Sequence, residues 1–394
     1  MQKSLSTLGD GLLTTGRTHR AVQLRTAPCV SEMDYGELIE PGCTPGWVEL
    51  SRLPSGVYIL NLLADANPEN RWILPFNQAI MKAFDALEDH LEFDAGDLPA
   101  ALLTISQSPK FFSNGIDPTG SYSKQLGLEK PSEIDALEGI ILGMPGFIRP
   151  LQLPIPTIAA IGGHAFGAGM CVCPAPARTP RVCPRLLGSC DASAAPHAAG
   201  GATHRMFAVA HDYRLQREDR GYMCAIEVEI GVGIPPPEME LFAHAVSKPA
   251  FYQTVMGAKR WGADDALDEG LIVAACPMEE LYAESLQYAE SQAKLAAGPA
   301  LRRNFMAIKH KAKGHVERMV MEHTFPHGEL PKPLAQNDAA VAQVKEKYPH
   351  FLAQISKQFV EPPVVDPEAV RAAARVAAMA MAATRENVKQ PAKL

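Results

Sequence analysis

Two short glycine-bearing segments constrain this chain more than any other feature. Lys110-Phe111-Phe112-Ser113-Asn114-Gly115-Ile116-Asp117 follows the buried-looking run Ala100–Ile105, and Gly162-Gly163-His164-Ala165-Phe166-Gly167-Ala168-Gly169 follows Thr157–Ile161. A short apolar run closed by glycine reads as a strand entering a tight turn. Glycine lets the backbone approach a ligand closely, so each turn can aim a main-chain N–H into a cleft. Two such donors on one oxygen stabilise a developing oxyanion, which implies chemistry on a carbonyl or thioester.

The elements around these turns alternate in type. Trp47–Leu50 and Val57–Leu62 flank Pro54-Ser55-Gly56, which predicts a hairpin. Apolar residues at Ile80, Ala83, Phe84 and Leu87 predict an amphipathic helix over Phe76–Leu91. Ser132 caps a predicted helix to about Leu142, and Asp212–Leu215 and Tyr222–Val228 read as later strands. Helical patterns follow over Pro237–Val246, Pro249–Lys259 and Met278–Leu295. Strands alternating with helices, with ligand turns at strand ends, argue for a layered α/β fold.

Residues 171–205 break the pattern. They contain no Lys, Glu, Phe, Tyr, Trp, Ile or Met, and prolines at 174, 176, 180 and 184 disfavour a helix. Four of the chain's eight cysteines fall here, with His197 and His204, but at no paired zinc spacing. We read the segment as a low-complexity insertion, of the kind an intron translated in frame produces. With it removed, Gly167-Ala168-Gly169-Met170 runs directly into Met206-Phe207-Ala208-Val209-Ala210, a glycine-started apolar helix.

Composition excludes several classes. A net charge of −7 without a basic run argues against nucleic acid, and the longest apolar runs are too short to span a bilayer. The remaining cysteines are scattered, as in a reducing compartment, and the first residues lack the apolar stretch of a secretory signal. Residues 1–45 are expected to be an N-terminal extension, 46–262 the core, 263–330 a helical region and 331–394 an appendage. The chain ends in Ala392-Lys393-Leu394, close to the Ser-Lys-Leu tail read by the peroxisomal import receptor.

With the insertion set aside, the chain resembles the crotonase (enoyl-CoA hydratase/isomerase) superfamily over roughly residues 47–300. The resemblance rests on Phe112-Ser113-Asn114-Gly115-Ile116-Asp117, which matches a Phe-x-x-Gly-x-Asp turn, and on Gly163-His164-Ala165 followed by Gly167-Ala168-Gly169. It implies a stacked ββα superhelix with a helical C-terminal region. It also implies that Ile116 and Ala168 are the oxyanion donors, with Ser113, Asn114, Gly115, Asp117, Gly163, Gly167 and Gly169 shaping the substrate site.

Hydratases of this family hold water between two glutamates. Counted through the join, the first falls on Met206, which has no acid/base chemistry; the second falls on Glu227, in Ile226-Glu227-Val228-Glu229-Ile230-Gly231. One glutamate kept and one lost is the pattern of the 3,2-enoyl-CoA isomerases. Ser113-Asn114-Gly115, His211-Asp212-Tyr213 and Asp219-Arg220-Gly221-Tyr222 resemble the plant-type peroxisomal members in particular.

The resemblance therefore implies isomerisation of 3-enoyl-CoA to trans-2-enoyl-CoA in peroxisomal β-oxidation. The acyl-CoA thioester is the substrate, and no cofactor or metal is required. Glu227 is the base, and Glu229, two residues on and on the same face of a strand, is the runner-up. Family members form homotrimers or hexamers. Rival readings are another crotonase reaction, hydration or thioester hydrolysis, and an acyl-CoA-binding protein impaired by the insertion. Asp117 and His164 read as turn-bracing residues, and His211-Asp212 as a dyad without a nucleophile.

Overall fold

In a computed structural model of the protein, residues 35–117, 120–128, 145–166, 204–230 and 236–324 are described, with a few isolated positions besides. Helix 132–142, glycines 167 and 169, Ala168, most of the insertion and the appendage lie outside them.

Among the described residues a seven-stranded sheet runs β1 (Glu37–Leu38), β2 (Val48–Arg52), β3 (Val57–Leu62), β4 (Ala101–Ser106), β6 (Thr157–Ile161), β8 (Tyr213–Arg217), β10 (Ala274–Cys276). The β1–β2 and β2–β3 pairs are antiparallel, and the rest are parallel. Pro54-Ser55-Gly56 closes the expected hairpin, with Gly56 at φ 89° packed on the Pro99 backbone, a conformation that favours glycine.

The period-2 alternation of strands splits the core in two. From β3, Tyr58, Leu60 and Leu62 enter one cluster while Val57 and Ile59 enter the other; β4 divides Leu102 from Leu103 in the same way. The first cluster is covered by α1 (Leu74–Phe93), whose Phe76, Ile80, Phe84, Leu87 and Leu91 recur at three- and four-residue spacing. The second is covered by α9 (Met278–Ala293) through Leu281, Ala289 and Ala293. Helices on both faces explain why β3, β4 and β6 are buried along nearly their whole length.

Between these lie α2 (Ser121–Gln125), α3 (145–152), α4 (His204–Ala210), α5 (Glu227–Ile230), α6 (Pro236–Ala245), α7 (Lys248–Val255) and α8 (Ala263–Asp268); the long α10 (Gly298–Thr324) follows α9. Helical backbone thus begins at His204, and Phe207, Ala208, Val209 and Ala210 are buried. The Phe207 ring lies 5.0 Å from Trp72 and 6.2 Å from Phe84, and stacks on Phe112 at 6.4 Å. Burying such a ring contributes about 1.5–3 kcal/mol. No described helix is long and apolar enough to cross a membrane.

Tyr222–Val228 departs from expectation. Only Met223–Cys224 form a strand, and the chain turns helical at Glu227. Ala225 and Ile226 are buried, so the segment keeps an unbroken apolar run across a real change of backbone.

Candidate active site

A second sheet of three short parallel strands organises the site: β5 (Phe111–Ser113), β7 (His164–Phe166) and β9 (Met223–Cys224), in that order. Parallel strands end on the same side. The chain leaves β5 into Asn114-Gly115-Ile116, β7 toward residues 167–169, and β9 into Ala225-Ile226-Glu227. The Asn114–Ile116 turn and the segment that carries Glu227 therefore issue from the same end of one small sheet.

The first turn is braced from the 67–71 loop. The Asn114 N–H donates to the Glu69 carbonyl (2.9 Å) and its Nδ2 to Glu69 Oε2 (2.7 Å). Arg71 pairs with Glu69 (2.6 Å) and donates through Nη1 to the Ile116 carbonyl (2.9 Å), while the Trp72 N–H donates to the Gly115 carbonyl (3.0 Å). The Ser113 hydroxyl donates to the Asn70 carbonyl (2.6 Å). Ser113 and Asn114 thus direct their side chains into the protein, and Gly115 takes φ 90°. Asp117 accepts from the Tyr122 N–H (3.2 Å), the Ser123 N–H (2.6 Å) and the Ser123 hydroxyl (2.8 Å), which fixes the start of α2. With all this in place, the Ile116 N–H donates to no acceptor among the described residues. A rigid turn around one uncommitted N–H has the form of an oxyanion donor.

The second turn is locked onto the first. The His164 N–H donates to the Lys110 carbonyl (2.8 Å), and Gly163 packs so tightly on that carbonyl that no β-carbon fits. The His164 ring stacks on Phe166 (4.6 Å), and its Nδ1 accepts from the Tyr222 N–H (3.3 Å). Burial, then Lys110 and Arg220, lowers the His164 pKa, so it packs as a neutral ring. Gly167, Ala168 and Gly169 lie outside the described residues.

Glu227 opens α5 and is buried, with 1% of its surface exposed. Its strand is held by Trp261, which exchanges both main-chain hydrogen bonds with Met223 (2.8 and 3.1 Å) and ties its indole N–H to Thr254 (2.8 Å). Glu229 takes the opposite side of the helical turn. It is exposed and pairs through both oxygens with Arg260 (3.0 and 2.9 Å). The two glutamates do not share a face, because they sit on a helix and not on the expected strand.

His211 and Asp212 face different surroundings. His211 Nδ1 donates to the Phe207 carbonyl (2.6 Å), so Nε2 accepts from Thr104 (2.8 Å); burial pushes its pKa down to about 3. Asp212 accepts from the Thr157 N–H (3.0 Å) and hydroxyl (2.9 Å), Lys309 (2.8 Å) and Lys313 (3.1 Å). Burial alone would raise the Asp212 pKa, but the two lysines hold it down to about 2. Burial also lowers Lys309, whose ammonium further donates to the carbonyls of Pro150, Leu153 and Ile155 (2.7, 3.4 and 3.3 Å). This network docks α10; it is not a catalytic dyad.

No family model matches the chain. Solved structures similar to it include an apo enoyl-CoA isomerase of Mycobacterium tuberculosis, with a TM-score of 0.50 and 18% identity over 70% of this chain and 95% of that one. An enoyl-CoA hydratase of Mycobacterium marinum also has a TM-score of 0.50, at 19% identity and the same coverage. The protein has the crotonase fold. Among curated relatives, the peroxisomal enoyl-CoA delta isomerase 1 of Arabidopsis thaliana is 24% identical over 269 residues, 68% of this chain and 89% of that protein. Enoyl-CoA delta isomerase 3 of the same plant is 27% identical over 178 residues, which span 58% of its length.

One buried carboxyl elsewhere in the fold has no counterpart in the sequence patterns. Glu238, in the first turn of α6, is completely buried, and neither carboxyl oxygen meets a hydrogen-bond donor among the described residues. A glutamate after three prolines reads as a solvent-facing helix start, so the sequence held no signal for it.

Proposed function

We propose that this protein isomerises 3-enoyl-CoA to trans-2-enoyl-CoA with Glu227 as the proton carrier. One observation supports the reading above others: parallel strands β5 and β9 deliver the uncommitted Ile116 N–H and the buried Glu227 to the same end of one sheet. The names of the Arabidopsis relatives supply the substrate class.

The Glu227 carboxylate removes a proton from carbon 2 of the 3-enoyl thioester. The electron pair delocalises into a dienolate, with negative charge on the thioester oxygen. Ile116 donates its N–H there, with Ala168 as the second donor by resemblance; one such donor is worth roughly 10²–10³ in rate. The protonated Glu227 then returns the proton to carbon 4, which leaves the double bond between carbons 2 and 3. An apolar surround favours a carboxylate that takes up and releases one proton without water. No cofactor takes part in these steps.

The peroxisomal setting draws support from the names of two relatives, with Ala392-Lys393-Leu394 as the tripeptide for the import receptor. Assembly as a homotrimer or hexamer rests on family resemblance. The test is an assay of the full chain on 3-hexenoyl-CoA and on crotonyl-CoA. Isomerisation of the first should exceed hydration of the second, and dominant hydration would overturn the reading.

A further inference from the structure

The Ile116 N–H belongs to the peptide group that joins it to Gly115, and the other end of that group is held. The Gly115 carbonyl accepts from the Trp72 N–H (3.0 Å), and Trp72 and Ile116 face each other in a parallel bridge. The peptide group that supplies the Trp72 N–H is held in turn. Its carbonyl, on Arg71, accepts from Asn67 Nδ2 (2.9 Å) and from the Ile73 N–H (3.0 Å). Asn67 is wholly buried. Its Oδ1 accepts from the Arg71 N–H (3.0 Å) and from the Tyr122 hydroxyl (3.0 Å). A main-chain N–H can only donate, so the carboxamide oxygen must face it, and this fixes the orientation of the amide. The Tyr122 hydroxyl is fixed in the same way: it accepts from the Glu69 N–H (3.3 Å), and its own proton goes to Asn67.

These bonds form a chain with one direction. The Tyr122 hydroxyl donates to Asn67, Asn67 to the Arg71 carbonyl, and the Trp72 N–H to the Gly115 carbonyl. The last donor is the Ile116 N–H. Each acceptor is joined to the next donor through a planar, conjugated amide, so a bond accepted at one end makes the N–H at the other end a stronger donor. Burial of Asn67 keeps water from screening this effect. The far side of Ile116 is held by the same loop: Arg71 Nη1 donates to the Ile116 carbonyl (2.9 Å), with its guanidinium 5.1 Å over the Tyr122 ring.

We propose that Asn67 is a positioning residue of the candidate oxyanion hole. Through the Arg71–Trp72 and Gly115–Ile116 peptide groups it orients and polarises the N–H that meets the thioester oxygen. This role rests on Ile116 being the oxyanion donor.

Infrared spectroscopy of hexanoyl-CoA, isotope-labelled at its thioester carbonyl and bound to the full chain, tests the role without turnover, because the ester is saturated. In the native complex the C=O stretch should move to lower frequency, since a donated hydrogen bond weakens the C=O bond. Asn67→Leu keeps the shape and removes both amide groups, whereas Tyr122→Phe removes only the proton at the head of the chain. At saturating ligand the shift should be smaller in both variants, and smallest in N67L. In N67L the kcat on 3-hexenoyl-CoA should fall on the order of tenfold, part of the roughly 10²–10³-fold that loss of a whole donor costs, with KM changing less. Lower stability in urea with a native carbonyl shift and native kcat would overturn the proposal, because Asn67 would then only brace its loop. Where N67L does not fold, Y122F decides: a reduced shift supports the chain, and an unchanged one overturns it. A native protein that shifts the carbonyl but does not isomerise 3-hexenoyl-CoA would refute the isomerase reading, and the shifts in the variants would still decide the role of Asn67. Absence of any shift in the native complex would overturn both.

Discussion

Gly163 packs against the carbonyl of Lys110, and this contact joins the two turns that carry the candidate oxyanion donors. A β-carbon at Gly163 would overlap backbone atoms of Lys110 and Phe111, which cannot swing aside as a side chain can. Gly163→Ala is therefore expected to cost about 1–3 kcal/mol of stability. It should also lower kcat more than it raises KM, because the turns separate where charge develops. Urea denaturation with steady-state kinetics checks both, and a neutral variant would show that the turns are not mechanically coupled.

The Asp212–Lys309 pair fastens α10 to the body of the protein, with the lysine side chain 3% and the aspartate 11% exposed. Asp212→Ala leaves the buried ammonium without its counter-charge, for which about 3–5 kcal/mol is expected. Protease cleavage within Gly298–Thr324 should rise in parallel. Loss of stability without exposure of that helix would mean that the network serves another element.

The same region sets a pH dependence. His211 is neutral in the fold, with its pKa lowered to about 3 from 6.5. Its contribution is complete above pH 6.5 and is lost progressively as the pH falls toward 3, because the unfolded chain takes up the proton first. Asp212, lowered to about 2 from 3.8, adds a second loss that begins below pH 3.8. Unfolding free energy measured from pH 7.5 to 5 should therefore fall, with a smaller fall in His211→Asn. Equal slopes would place the titrating group elsewhere.

Glu229 offers a control on the assignment of the base. It is exposed and bound to Arg260, and surface pairs of this kind contribute about 0–1 kcal/mol. Glu229→Gln should leave kcat on 3-hexenoyl-CoA close to native. A large loss would revive Glu229 as the proton carrier.

The large sheet was legible wherever the pattern ran long enough. The hairpin at Pro54-Ser55-Gly56, α1, β4 and β6 follow from apolar periodicity and turn residues. The small sheet was not, since β5, β7 and β9 are two or three residues long and two residues carry no period. Its turns were still visible through their glycines. In α10 the apolar stripe is interrupted by buried Arg302 and Lys309, whose partners are carbonyls and Asp212 from distant parts of the chain. In the sequence Glu227 is a candidate only through its register with the glycine motifs, whereas its separation from Glu229 depends on a helical turn that the run Met223–Ile230 does not announce.

The most direct measurement is turnover of 3-hexenoyl-CoA by Glu227→Gln, alongside equilibrium binding of a saturated acyl-CoA to the same variant. The substitution keeps shape and removes the proton carrier. A fall in kcat of about 10²–10⁴-fold is expected, with affinity for the saturated ester unchanged. Native-like turnover by this variant would contradict Glu227 as the base.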